Sequence, residues 1–95
     1  MLVGVLRLEL LLHAPGNLKE KRSIVQKLLA RCRNRFPVSC GETGLQDKWQ
    51  RAEFGFALVG FDRDRIEATF ADIEGEIISS GQADICDRLA EVLHY

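Results

Sequence analysis

Between Leu2 and Leu12 apolar residues recur at alternate positions, and from Asn17 to Phe36 they recur every three to four. That change of period, across the short break His13-Ala14-Pro15-Gly16, dictates a strand followed at once by a helix. In the strand, Leu2, Leu6, Leu8, Leu10 and Leu12, with Gly4 between them, point one way and should meet the helices. Val3, Val5, Arg7, Glu9 and Leu11 point the other way, a mixed set suited to a sheet with one open face. In the helix, Asn17 is an N-cap and Glu20 completes a capping box. Leu18, Val25, Leu28, Leu29, Cys32 and Phe36 form its apolar stripe, and Phe36-Pro37 closes it.

After Pro37, Val38 to Thr43 reads as a short second strand with Val38 and Cys40 inward, followed by a hairpin-length connection, Gly44 to Lys48. Trp49 to Phe61 reads as the third strand. Its heavier apolar set, Ala52, Phe54, Phe56 and Leu58, belongs to the core; Trp49, Arg51, Glu53, Gly55, Ala57 and Val59 face away. Asp62 caps a second helix, Arg63 to Ser80, buried through Ile66, Phe70, Ile73 and Ile77 and ended by Gly81. Glu67, Asp72, Glu74 and Glu76 give that helix an acidic exterior. The tail from Ala83 to Tyr95 fits helical spacing at Ile85, Cys86, Leu89, Val92 and Leu93, but the sheet needs a fourth strand, and the tail is assigned to it. The order strand, helix, strand, strand, helix, strand is the split βαβ pattern. It predicts one α+β domain over residues 1–95: a ferredoxin-like βαββαβ sandwich, with a four-stranded antiparallel sheet and two helices on one face.

Charge is divided along the chain. Residues 1–51 carry +6 and residues 52–95 carry −7, within an overall charge of −1. On the first helix Lys27, Arg31 and Arg35 form an i, i+4, i+8 row whose mutual repulsion a polyanion would relieve. Lys21 and Arg22 lie within about 60° of the apolar stripe, so their heads must snorkel past the core edge or meet a carboxylate such as Glu53. With Lys19, these six residues are the candidate nucleic-acid contacts. The same division of charge also suits self-association of an acidic helix with a basic one. A second candidate surface is Gln46, Asp47, Trp49 and Arg51 at the hairpin tip, since Trp and Arg are enriched at the energetic centres of interfaces.

Several function classes are excluded. FGFALVGF approaches the RNA-recognition signature, but Phe54 stands at its basic position, Leu58 replaces the second stacking aromatic, and Phe56 turns into the core. The loop after the first strand lacks the glycine-rich, arginine-bearing phosphate cradle of an acylphosphatase. His13 and His94 have no ligand-spaced neighbours, and Cys32, Cys40 and Cys86 are odd in number without a C-x-x-C pair. No catalytic set, metal, cofactor or disulfide framework is therefore expected, and the chain reads as a non-enzymatic binding module. No apolar run approaches the length that spans a bilayer and no cleavage pattern follows the first strand, so a soluble cytoplasmic protein without membrane contact is expected.

Three runs carry a family resemblance: Leu18-Lys19-Glu20-Lys21-Arg22-Ser23, Arg35-Phe36-Pro37-Val38-Ser39, and Gln46-Asp47-Lys48-Trp49-Gln50-Arg51-Ala52. With the opening GVLRLEL and the acidic second helix, they resemble the YlxP-like family of small bacterial proteins. The resemblance covers most of the chain and weakens beyond Gly81. It implies a ferredoxin-like fold, self-association as a homodimer, and no assigned catalytic residues. Because such proteins are encoded beside translation and ribosome-maturation factors, it also implies ribosomal RNA or a ribosome-associated protein as partner.

Overall fold

The computed structural model describes residues 1–95 as six elements: β1 (Leu2–Leu12), α1 (Leu18–Arg35), β2 (Ser39–Gly44), β3 (Arg51–Gly60), α2 (Arg63–Ser79) and β4 (Ala83–His94). The strands pair antiparallel in the order β2-β3-β1-β4, which is the ferredoxin-like topology the order of periods predicts. The tail is a strand throughout, pairing with β1 from Leu2↔His94 to Leu12↔Ala83.

The core is the layer between sheet and helices. Leu2, Leu6, Leu8 and Leu10 of β1 meet Ala52, Phe54 and Phe56 of β3, Val25, Leu28, Leu29 and Cys32 of α1, and Ile66, Phe70, Ile73 and Ile77 of α2. Phe54 and Phe56 pack edge-on, with ring centroids 6.3 Å apart. Gly4 interrupts the leucine row for a steric reason: a Cβ there would lie 2.5 Å from Ile66 Cγ2 and 2.9 Å from Phe70 Cζ. The missing side chain lets α2 settle directly on β1.

The helix ends follow their caps. Asn17 Oδ1 accepts the Glu20 backbone N–H at 2.9 Å. The reciprocal arm of the capping box differs from expectation, because the Glu20 carboxylate accepts from the N–H of Gly16, one residue further back. Asp62 Oδ1 accepts from the N–H groups of Asp64 and Arg65.

Two irregularities shape the sheet. Between Glu9 and Leu10 of β1 the register with β4 shifts so that Cys86 has no partner, which makes it the extra residue of a β-bulge. A second shift leaves Thr43 unpaired on β2 and hands the chain to the connection toward β3. That connection turns at Leu45, whose φ of 58° is the only positive value outside glycine. The third strand starts two residues later than expected, so Trp49 and Gln50 belong to the connection rather than to the sheet. Likewise β2 begins at Ser39, leaving Val38 just outside it.

Candidate functional site

The sheet face away from the helices is divided along its length, as the strand register makes plain. At one end Val3 of β1 sits between Val59 of β3 and Leu93 of β4, and Val5 between Ala57 and Glu91. Val5, Val59 and Leu93 are exposed large apolar side chains, and Met1, Phe61 and Tyr95, just past the strand ends, are exposed as well. Toward the other end the rows become charged: Arg7 beside Gly55 and Leu89, Glu9 between Glu53 and Asp87, Leu11 between Arg51 and Asp84. These charges pair among themselves. Arg51 Nη1 donates to Glu9 Oε2 at 2.7 Å, Thr43 Oγ1 donates to Glu53 Oε2 at 2.6 Å, and Arg7 Nε lies 3.9 Å from Glu53 Oε1. His13 Nε2 sits 3.0 Å from Asp84 Oδ2, and its Nδ1 is 3.1 Å from the Gly81 carbonyl. The hydrogen bond to Asp84, then that to Gly81, raises the His13 pKa above its ordinary 6.5.

The candidate nucleic-acid residues on α1 separate into three groups. Lys19, Arg22 and Lys27 are exposed. Lys21, expected among them, is instead sealed in the interior with 1% of its side chain exposed. Its ammonium donates to the Leu45 carbonyl at 2.7 Å and lies 3.0 Å from Glu42 Oε2. Sequence position anticipated a fixed carboxylate partner; the partner is Glu42 rather than Glu53, because Glu42, two residues after Cys40, lies on the helix side opposite Phe54, whereas Glu53 faces away. Lys21 is therefore a structural residue and is withdrawn from the binding set.

Arg31 and Arg35 converge on one carboxylate. Arg31 Nε and Nη2 reach Glu76 Oε1 at 3.0 and 2.7 Å, and Arg35 Nη1 reaches Glu76 Oε2 at 2.5 Å. This corrects the expected acidic exterior of α2: Glu76 keeps only 9% of its side chain exposed and lies between the helices. Desolvation opposes its charge, but the hydrogen bonds from Arg31 and Arg35 outweigh it and hold the pKa below the ordinary carboxylate value. Both guanidinium groups remain about half exposed on their outer sides.

At the hairpin tip, Gln46 Nε2 donates to the Glu42 carbonyl, Lys48 N–H to the Leu45 carbonyl, and Leu12 N–H to the Gln50 carbonyl. Trp49 stands 41% exposed beside Asp47, and Arg51 is held by Glu9. Gln46, Asp47 and Trp49 therefore share one loop, with Arg51 at the start of β3, and Lys21 ties that loop to the body of the domain. The burial of a lysine is the signal that position on the helical wheel only half revealed.

The thiols of Cys32 and Cys40 are poor nucleophiles. Burial pushes the Cys32 thiol up to about 11, and desolvation raises that of Cys40 as well. No group of three or more His, Cys, Asp or Glu side chains could hold a metal ion. No helix is long and apolar enough to cross a membrane.

Comparison with known proteins gives the family. Among solved structures, SnoaB, a cofactor-independent oxygenase from Streptomyces nogalater, aligns with 99% of this chain and 92% of its own at TM-score 0.54 and 11% identity. A candidate chlorite dismutase aligns with 97% of this chain and 44% of its own at TM-score 0.56 and 10% identity. At such identities the shared property is the fold alone. The uncharacterized protein YlxP of Bacillus subtilis (strain 168) is 41% identical over 66 residues, covering 70% of this chain and 72% of that protein. The sequence profile of a protein of unknown function, DUF503, matches residues 3–89, and the chain belongs to this YlxP-like family.

Proposed function

We propose that the chain is a non-enzymatic association module whose open sheet face docks on a second copy of itself. The observation that carries this reading is the lengthwise division of that face. Val3, Val5, Ala57, Val59 and Leu93 form an apolar cluster, with Glu91 beside Val5, and no helix over it. In the other half Arg51 pairs with Glu9, Arg7 with Glu53 and His13 with Asp84. Its charge also speaks against a polyanion on this face: Arg7 and Arg51 stand against Glu9, Glu53, Asp84, Asp87 and Glu91. An apolar cluster set against its own twin is self-complementary under a two-fold axis, the commonest arrangement of small oligomers. Sedimentation equilibrium tests it. The protein should be a dimer whose dissociation constant changes little between low and high salt, and Val59→Lys should weaken it at least tenfold without altering the fold. A wild-type monomer at high protein concentration, or an unchanged Val59→Lys dimer, refutes the reading.

A second reading concerns RNA or a ribosomal particle and rests on Lys19, Arg22 and Lys27, which are exposed and make no ion pair. Phosphate contacts from such residues position a partner without reading sequence, and affinity falls steeply with salt. Reversal of all three to Glu should abolish binding to ribosomal particles while leaving the dimer intact. Retained binding removes this reading and leaves the first untouched.

A further inference from the structure

Between α1 and the turn joining α2 to β4 lies a cleft of about 200 Å³, lined by Ile24, Lys27, Leu28, Arg31, Ser80 and Gln82. At about 30 Å³ per water molecule this is room for a group of roughly six waters, the scale of one tetrahedral oxyanion and its contacts. Its floor is aliphatic, from Ile24 and Leu28, and its rim holds the cations Lys27 and Arg31, the Gln82 amide and the Ser80 hydroxyl, which already donates to the Ile77 carbonyl. No carboxylate lines it. Lys27 is exposed and without an ion-pair partner. Arg31 is held in place by Glu76 through Nε and Nη2, which leaves Nη1 uncommitted. The Gln82 side-chain amide makes no bond within the protein, whereas its backbone N–H and carbonyl are fixed by Ser80 Oγ and the His13 N–H.

The C-terminal end of α2, which abuts this cleft, would ordinarily repel an anion through its free carbonyls. Here those carbonyls are covered. Glu76 O accepts from Ser80 N–H and Ser79 Oγ, Ile77 O from Ser80 Oγ, and Ile78 O from Gly81 N–H. The last turn of α2 has no basic residue of its own, so the cations in the cleft come from α1 alone. Charge sets the class of ligand. Arg31 and Arg35 against Glu76 leave one net positive charge, and Lys27 adds a second. A phosphate monoester carries about −1.5 to −2 at neutral pH and matches this pair.

We infer that the cleft between α1 and the α2–β4 turn binds a phosphate group, with Lys27, Arg31 and Gln82 as its donors. The site lies on the helical side of the domain, so it is independent of how copies meet through the sheet. The phosphate can come from a free monoester or from the end or backbone of a nucleic acid, and the test separates these sources.

The experiment is an amide-resolved NMR titration of the full chain with inorganic phosphate, against chloride at matched ionic strength. Saturable shifts are expected at Ser80, Gly81 and Gln82 and at the Arg31 side chain with phosphate only. Lys27→Met, at a position with no bond to lose, should reduce the affinity at least tenfold with the rest of the spectrum unchanged, and Gln82→Ala severalfold. Parallel titrations use a short RNA with and without a 5′-phosphate. A response confined to the phosphorylated strand assigns a terminal phosphate, and equal responses assign the backbone. The proposal is overturned if chloride reproduces the shifts, if phosphate produces none, or if Lys27→Met titrates like the parent protein. In those cases Lys27 and Arg31 serve only to neutralise the end of α2.

Discussion

Removing the ammonium of Lys21 tests the central claim about the hairpin. Lys21 is 1% exposed, donates to the Leu45 carbonyl at 2.7 Å and lies 3.0 Å from Glu42 Oε2, an oxygen with no hydrogen-bond donor beyond this ammonium. Lys21→Met keeps the aliphatic stem and deletes the charge, stranding a carboxylate that is 17% exposed. Breaking a buried pair from one side costs about 3–5 kcal/mol, and the residual exposure of Glu42 places this case near the lower end, about 3 kcal/mol. A chain of 95 residues has a total stability on the order of 5–14 kcal/mol, so about a fifth to three fifths of it should go. The corresponding fall in Tm is about 12–24 °C. The double variant Lys21→Met, Glu42→Gln carries no stranded charge and should recover at least about 1 kcal/mol of the loss, the signature of two coupled residues. Urea unfolding followed by circular dichroism gives the free energies, and the emission of Trp49 reports separately on the loop. A loss below about 1 kcal/mol for Lys21→Met, or strict additivity in the cycle, would refute the view that this pair anchors the hairpin.

Other outcomes follow from the same structure. Glu76 has a folded pKa below its ordinary 4.5, so its contribution to stability is complete above that value and disappears as pH falls through the folded pKa; melts of Glu76→Gln and the parent should converge at low pH. His13 has the opposite sign: its folded pKa lies above 6.5, so its stabilisation is complete below 6.5 and is lost as pH rises through the folded value. His13→Gln should flatten that slope, and the His13 ring protons should titrate above 6.5 in NMR spectra. Among the thiols, exposed Cys86 should react quickly with an aromatic disulfide reagent in the native protein, partly buried Cys40 more slowly, and buried Cys32 only after unfolding.

What could be read from the chain was local, and what could not was long-range. Alternation placed Leu6, Leu8 and Leu10 against the helices and Phe54 and Phe56 in the core, and the caps Asn17 and Asp62 fixed both helix starts, because each signal lies within one element. The tail was harder. Its apolar residues fit a helix as well as a strand, and the pairing with β1 decided the matter. Cys86 had no place in either pattern since a bulge residue satisfies neither period. Glu76 was misread as exposed, and for Lys21 the carboxylate partner was anticipated but its identity was not. Each is a charge whose partner lies more than twenty residues away, and periodicity counts a charged residue as exposed. The basic row of α1 was correctly located, but the neutralising carboxylate belongs to another helix, so its free charge was overestimated.

The bulge at Cys86 carries a consequence for how copies of this protein can accumulate. β4 is an outer strand, and a long, regular outer strand is a template onto which further chains add without limit. The bulge interrupts that border, and Asp84, Asp87 and Glu91 set like charges along it, so pairing of further chains onto β4 is disfavoured. Stacking through a face, in contrast, saturates once two molecules have met. If the sheet face is the contact proposed above, assembly through it terminates itself, whereas the β4 border discourages the kind that does not.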